Sequence, residues 1–267
     1  MVSNRNFAAD TNVDWVICDD AVSFRSYFSL WRQGWESAFE RKLSESLLNR
    51  YFLNPPLDSP VMLIGLNRNK VVASSTLVPL SLVDPVSLKN ITYFQYIAAF
   101  VLRGFSDGLN TYREMLKLVI EQVKRPGIEF LLSFPNENAK SIMVRVGGFK
   151  IIDVGYFIDG VMNSTIRDSL LSELSRPFYD RDLLRWRMHE RMFVNEGRIL
   201  KMYSGKNNLL DIVDESFSEE FKGLMPWWSS WGDSPYQPVD AYRVNMCVFS
   251  ETESVNIKRS FLLSDVF

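Results

Sequence analysis

A chain of 267 residues that is 46% hydrophobic, with 30 basic against 32 acidic residues, has ample material for a core and no charge excess to attract a polyanion. Intrinsic disorder and wholesale nucleic-acid binding are not expected. One histidine and two distant cysteines, Cys18 and Cys247, make neither a disulfide framework nor a zinc site, so a reducing compartment and no metal are expected.

The opening stretch MVSNRNFAADTNVDW has no apolar h-region, and no window approaches the ~20 apolar residues of a membrane span. A cytoplasmic chain without a membrane span is the expectation. Val13 to Cys18 reads as a short strand, and Asp19-Asp20 as the cap of a helix. Phe24, Phe28, Trp31 and Trp35 then recur at helical spacing, giving one aromatic face. A second helical pattern, about Glu36 to Phe52, ends where Asn54-Pro55-Pro56 forbids continuation. Val61 to Leu66 and Val71 to Val83 are strand candidates joined by the polar turn Asn67-Arg68-Asn69-Lys70.

Ile91 to Leu102 (ITYFQYIAAFVL) is dense in β-branched and aromatic residues and predicts a long strand. A glycine-bearing turn, Arg103 to Gly108, precedes a helix to about Lys124 with Leu109, Tyr112, Leu116, Val119, Ile120 and Val123 on one side. Ile128 to Ser133 reads as a buried strand stopped by Pro135. Asn136, Glu137 and Asn138 open a helix carrying Ala139, Ile142, Met143 and Val146, and Gly147-Gly148 ends it before a strand at Phe149 to Asp153. Ile151 to Ile158 closes a first lobe near residue 158.

Strand, glycine turn, helix, strand, PN turn, helix and closing Gly-Phe, in that order, resemble the centre of the GNAT superfamily of acyl-CoA-dependent N-acyltransferases. The phrase FPNENA…VGGF looks most like a branch associated with bacterial surface-sugar modification, as do YFLNP before PVMLIG and DRDLLRWRMHERM further on. The resemblance is spread over about residues 24–155. It implies an α/β (α+β) fold: a mixed, mainly antiparallel sheet flanked by helices, with a second, degenerate GNAT-like lobe. The division would be 1–158 for the acyltransferase lobe and 159–267 for the smaller one.

In that second half, Arg167 to Leu174 and Asp180 to His189 are helix candidates, and Phe217 to Trp228 is another. Strands are expected at Ile199 to Tyr203, Leu209 to Val213, Tyr242 to Phe249 and Val255 to Leu263, with a loop from Ser229 to Pro238.

The function implied by the resemblance is transfer of an acyl group from acyl-CoA or acetyl-CoA to a small-molecule primary amine. An amino-sugar of surface-polysaccharide assembly is the implied acceptor. Two other readings are an aminoacyl-tRNA-dependent cell-wall peptide aminoacyltransferase, which the neutral charge disfavours, and a non-catalytic GNAT-fold binding module. Acyl-CoA would lie against Phe100, Val101, Arg103, Gly104, Ser106, Gly108, Leu109, Asn110 and Asn136, its pyrophosphate at the helix start.

The turn departs from the family pattern R/Q-x-x-G-x-G/A. Gly108 matches the first glycine, but Phe105 stands at the basic position, Asn110 at the second glycine, and Asp107 puts a carboxylate beside the phosphate. The tyrosine that many relatives carry before the Gly-Phe is Val144 here. Tyr96, Ser133 and Asn136 are the catalytic candidates, with Gln95 also facing a possible slot; each is equally read as a satisfied structural polar group. His189, among charged neighbours, reads as a surface or capping residue. Trp227, Trp228 and Trp231 form either a self-packed loop or a sugar-stacking platform.

Overall fold

The computed structural model describes residues 12–43, 45, 58–83, 87–162, 176–177, 192–195, 198–203, 207–212, 221–229 and 238–251. The fold is mixed α/β, a mainly antiparallel sheet flanked by helices. Strand β1 (Asp14–Cys18) leads into helix α1 (Ala21–Phe39), whose start is capped by Asp20: its carboxylate accepts the N–H groups of Val22 at 2.7 Å and Ser23 at 2.8 Å. The helix runs through Glu36, where a second helix was expected to begin, and stops at Glu40 in the left-handed region (φ 52°). The remainder of that second helical pattern lies outside the described residues, residue 45 excepted.

The aromatic face of α1 packs on one side of the sheet. Phe24, Trp31 and Trp35 are buried against Met62 and Ile64 of β2 (Val61–Asn67), Val71 of β3 (Lys70–Val83) and Phe100 of β4 (Asn90–Val101). The indole of Trp31 donates to Ser74 Oγ at 3.0 Å, which in turn donates to the Leu63 carbonyl at 2.7 Å, so a polar group in this apolar layer is satisfied. The β2–β3 hairpin turns on Arg68 and Asn69, both at positive φ, as a two-residue turn matched to strand twist requires.

Helices α2 (Gly108–Glu121) and α3 (Glu137–Gly147) cover the other face. Met115, Leu116 and Val119 of α2 and Met143 of α3 join Leu63, Ala73, Leu77, Phe94, Tyr96 and Leu131 in one core. Leu109, expected on the apolar side of α2, is 51% exposed. Strand β5 is short, Leu131–Ser133, although the residues before it still bond to β4 through Phe94 N to Phe130 O and Glu129 N to Thr92 O.

The last strands hold the main corrections. Lys150–Met162 is one strand, β6, so residue 158 lies inside it. Residues Arg176–Pro177 (β7) pair with β3, and Met192–Asn195 (β8), Arg198–Tyr203 (β9) and Asn207–Ile212 (β10) form an antiparallel run. Phe221–Trp228, expected as part of a helix, is strand β11. It pairs with β6 through eight positions, from Phe221 opposite Met162 to Trp228 opposite Gly155. Among the described residues β10 and β11 share a single rung, Leu209 with Leu224, and Pro226 lies two residues past it, where its missing N–H interrupts no β10 pairing.

Strand β12 (Pro238–Phe249) then inserts between β5 and β6, giving the order β1-β2-β3-β4-β5-β12-β6-β11-β10-β9-β8. Cys247 and Val248 of β12 face Ser133 and Leu132 on one side and Ile151 and Lys150 on the other. The helix candidates at 167–174 and 180–189 and the strand candidate at 255–263 lie outside the described residues.

Candidate functional site

The sheet opens between β4 and β5. These two parallel strands pair through Phe94–Leu131, Gln95–Leu132 and Tyr96–Ser133, and there pairing ends while β4 continues to Val101. On the other edge of β5, β12 holds Ser133 through Cys247. The result is a fork whose floor is the Tyr96–Ser133 rung.

Just beyond that rung, β4 breaks its own ladder. Thr76 faces Ile97 and Ser74 faces Phe100, so β4 carries one residue more than β3 between these rungs. Ala98 has φ 51°, a conformation rare for a residue with a Cβ. This is a β-bulge, and its consequence is visible in the packing. Phe94 and Tyr96 face α2; past the bulge Ala99 and Val101 do so, while Phe100 faces α1. Four buried residues, Tyr93 to Tyr96, give way to half-buried Ile97, Ala98 and Ala99. The strand becomes accessible at the point where its ladder is interrupted.

From the bulge the chain turns into α2. Gly104 sits at φ 80° with nothing near its missing side chain, so it is the glycine the turn's backbone requires. Gly108 has an ordinary φ, and a Cβ there would meet only Val101 Cγ1 at 3.7 Å. Asp107 stands at the N-cap position of α2 without capping it. Its side chain bonds no helix N–H and instead accepts from Asn110 Nδ2 at 2.7 Å. Gly108 N donates to the Phe105 carbonyl and Thr111 N to that of Asp107. The N–H groups of Leu109 and Asn110 stand at the helix start, where a helix has no internal acceptor for them and its dipole is positive.

The remaining expected residues are distributed as follows. Phe100 is buried, edge-on to Phe39 at 5.9 Å, and Val101 is half-buried beneath Gly108. Arg103 pairs with Glu40 at 3.1 Å with both side chains largely in solvent, an interaction worth little. Ser106 is exposed in the turn. Asn136 caps α3, accepting from Ala139 N at 2.9 Å, and Ser133 Oγ donates to the Tyr96 carbonyl at 3.3 Å. Gln95 is buried on the opposite face from Tyr96. Val144 is 36% exposed on α3. Trp227 and Trp228 are buried, so this pair forms no exposed stacking platform; Trp231 and His189 lie outside the described residues.

Tyr96 is the candidate with the most unusual surroundings. Its hydroxyl neighbours those of Tyr112 on α2 and Ser75 on β3, and burial pushes the proton affinity of Tyr96 well above, and of Tyr112 above, the usual tyrosine range. Both therefore stay neutral near pH 7 and can donate. Sequence reasoning missed Ala98 and Ser75; the small residues in IAAF are the only trace of the bulge. It also missed Asn245 of β12, which donates to Glu137 Oε1 at 2.8 Å and accepts from Lys140 Nζ at 3.4 Å, tying the start of α3 to β12.

No protein-family model matches this chain, and no curated protein sequence matches it. Solved structures do. A GCN5-related N-acetyltransferase from Anabaena variabilis ATCC 29413 superposes with a TM-score of 0.51 at 10% identity, covering 88% of this chain and 72% of that one. Another from Kribbella flavida gives 0.50 at 10% identity, over 88% and 71%. A probable N-acyltransferase from Enterococcus faecalis V583 gives 0.50 at 11%, over 89% and 72%. The chain thus shares the fold of GCN5-related N-acetyltransferases. Among the described residues no helix is long and apolar enough to cross a membrane.

Proposed function

We propose that this chain is an acyl-CoA-dependent N-acyltransferase acting on a small-molecule primary amine. The observation that carries the reading is the fork above the Tyr96–Ser133 rung, with the Ala98 bulge on its β4 side. A bulge withdraws backbone N–H and C=O groups from the ladder, and donors so freed can meet the oxygen of a thioester carbonyl as charge develops on it. At the other end, the N–H groups of Leu109 and Asn110 and the helix dipole suit a phosphate. Asp107 opposes this with its charge, but its Oδ1 is turned to the Asn110 amide.

Acyl-CoA, when bound, supplies the activated carbonyl. The chain's part is to hold and orient. Ser133 and Asn136 are engaged in structural hydrogen bonds, which leaves positioning of an already neutral amine as the main contribution of the site. The amino-sugar acceptor of surface-polysaccharide assembly rests on the sequence resemblance, and a cytoplasmic location on the low cysteine count.

Thermal-shift titration with free CoA, acetyl-CoA and longer acyl-CoAs tests the reading. At about 100 times the dissociation constant, binding adds roughly 2.7 kcal/mol, a rise of several degrees in a chain of this size. No shift with any of them overturns it. A second reading, a non-catalytic module, is favoured by Phe105 and Asp107 in the turn. It predicts CoA binding without release of free thiol when acetyl-CoA is incubated with a panel of amino-sugars.

A further inference from the structure

Past Ser133 the β5 wall of the fork leaves the sheet. The β4–β5 and β5–β12 ladders both end at that residue, so no rung of either reaches Phe134, Pro135 or Asn136. Strand β12 extends beyond Ser133 and is still anchored there to β6, through Val244–Gly155, Asn245–Val154 and Met246–Asp153. Alternation from Cys247, which lies in the core under α3, puts Asn245 on the same face, and Asn245 is 4% exposed.

The Asn245 amide meets the first turn of α3 at both of its ends. Nδ2 donates to Glu137 Oε1 at 2.8 Å, and Oδ1 accepts from Lys140 Nζ at 3.4 Å. Glu137 and Lys140 are also paired with each other, which closes a triangle with Asn245 at its buried corner. The arrangement has one orientation, because turning the amide over would set its N–H against the ammonium and its oxygen against the carboxylate. Glu137 is the first residue of α3, directly after the Asn136 cap. The triangle thus ties the end of the unpaired wall to a strand that is itself fixed in the sheet. Phe134 also touches Trp228, at 6.3 Å between ring centroids, but contact between apolar rings is far less directional than hydrogen bonds to a charged group.

Resting on the acyltransferase reading, we propose that Asn245 is a positioning residue for the acyl-CoA donor. It sets the β5 side of the fork by holding Glu137, while the Ala98 bulge sets the β4 side. The donor site is then completed only by the last strand of the sheet. A displacement of ~1 Å in such a wall is enough to cost up to about 100-fold in a site that works by orientation.

The test is calorimetric titration of the full chain with acetyl-CoA at about pH 8, where carboxylates are ionised, with melting temperatures measured alongside. Asn245→Asp keeps the shape and the bond from Lys140 but turns a carboxylate toward Glu137. Glu137→Ala removes the partner from the other end and touches a side chain that is 69% exposed, so it decides the matter should Asn245→Asp not fold. Each is expected to weaken acetyl-CoA binding at least about tenfold. Asn245→Asp/Glu137→Gln reverses the polarity of the bond, with the glutamine amide donating to the new carboxylate, and is expected to return to within about threefold of wild type. Acetyl-CoA affinity unchanged in both single variants overturns the inference, whatever the melting temperatures do, and leaves the acyltransferase reading standing. A double variant as weak as Asn245→Asp also overturns it, since the effect then does not pass through this pair. Failure of wild type to bind acetyl-CoA removes the acyltransferase reading and the inference with it.

Discussion

Gly155 and Trp228 offer a direct test of the half of the sheet that sequence periodicity misread. They face each other across the β6–β11 ladder, and the indole lies over the glycine. A Cβ built on Gly155 would stand 2.7 Å from Trp228 Cζ3, 2.8 Å from Cε3 and 3.1 Å from Cη2. The obstacle is a rigid ring, and Trp228 is fully buried, so it cannot swing into solvent. Overpacking of this kind costs about 1–3 kcal/mol. For a chain of this length that corresponds to a fall in melting temperature of roughly 2–12 °C.

Gly155→Ala should therefore destabilise clearly, and Trp228→Phe should destabilise by loss of the larger ring. In combination the clash is relieved, so the double variant should lose less than the sum of the two, by about 1 kcal/mol or more of coupling. The measurement is urea denaturation of the four proteins, with the m-value checked for constancy. Additive effects, or a harmless Gly155→Ala, would refute the β6–β11 register and with it the placement of Phe221–Trp228 as a strand.

Gly104→Ala should cost about 1 kcal/mol because of its left-handed backbone, whereas Gly108→Ala should leave the melting temperature nearly unchanged; under the acyltransferase reading Gly108→Glu then removes CoA binding without a comparable loss of stability. The Asp20 carboxyl is held below its usual value, first by the Ser23 hydrogen bonds, so its folded pKa is depressed and its stabilising effect is present above the unfolded value and lost as pH falls through the folded one. Asp20→Ala should accordingly flatten the loss of stability measured between pH 5 and pH 2, and a slope identical to wild type would remove the cap from the account. A fragment ending at residue 158 lacks β12, whose Met246, Cys247 and Val248 are buried between β5 and β6, and it should expose apolar surface and bind a hydrophobic dye; a well-behaved monomer would show that β12 is dispensable to the sheet.

The elements with strong local signals were legible in the chain itself. The α1 aromatic stripe, the Asp20 cap, the Arg68-Asn69 hairpin, and the Gly148 stop after Ile142 and Met143 each depend on residues within a turn or two of one another. The order of strand, glycine turn, helix, strand and helix from Asn90 to Gly147 followed from the same local rules, and it carried the resemblance that the solved structures share as a fold. Long-range pairing was not legible, because a ladder's partner leaves no local mark. FKGLMPWW has an apolar spacing that suits a helix turn, and only eight backbone rungs to β6 make it a strand. Nothing near Cys247 announces that β12 will close the gap between β5 and β6 from the far end of the chain. The bulge at Ala98 belongs to the same class. Alanine has no preference for φ 51°, and it is held there by the unequal spacing of β3 and β4 on either side. Local chemistry therefore determined which elements form and where they stop, while the fork, the bulge and the hydroxyls around it exist only because distant strands meet.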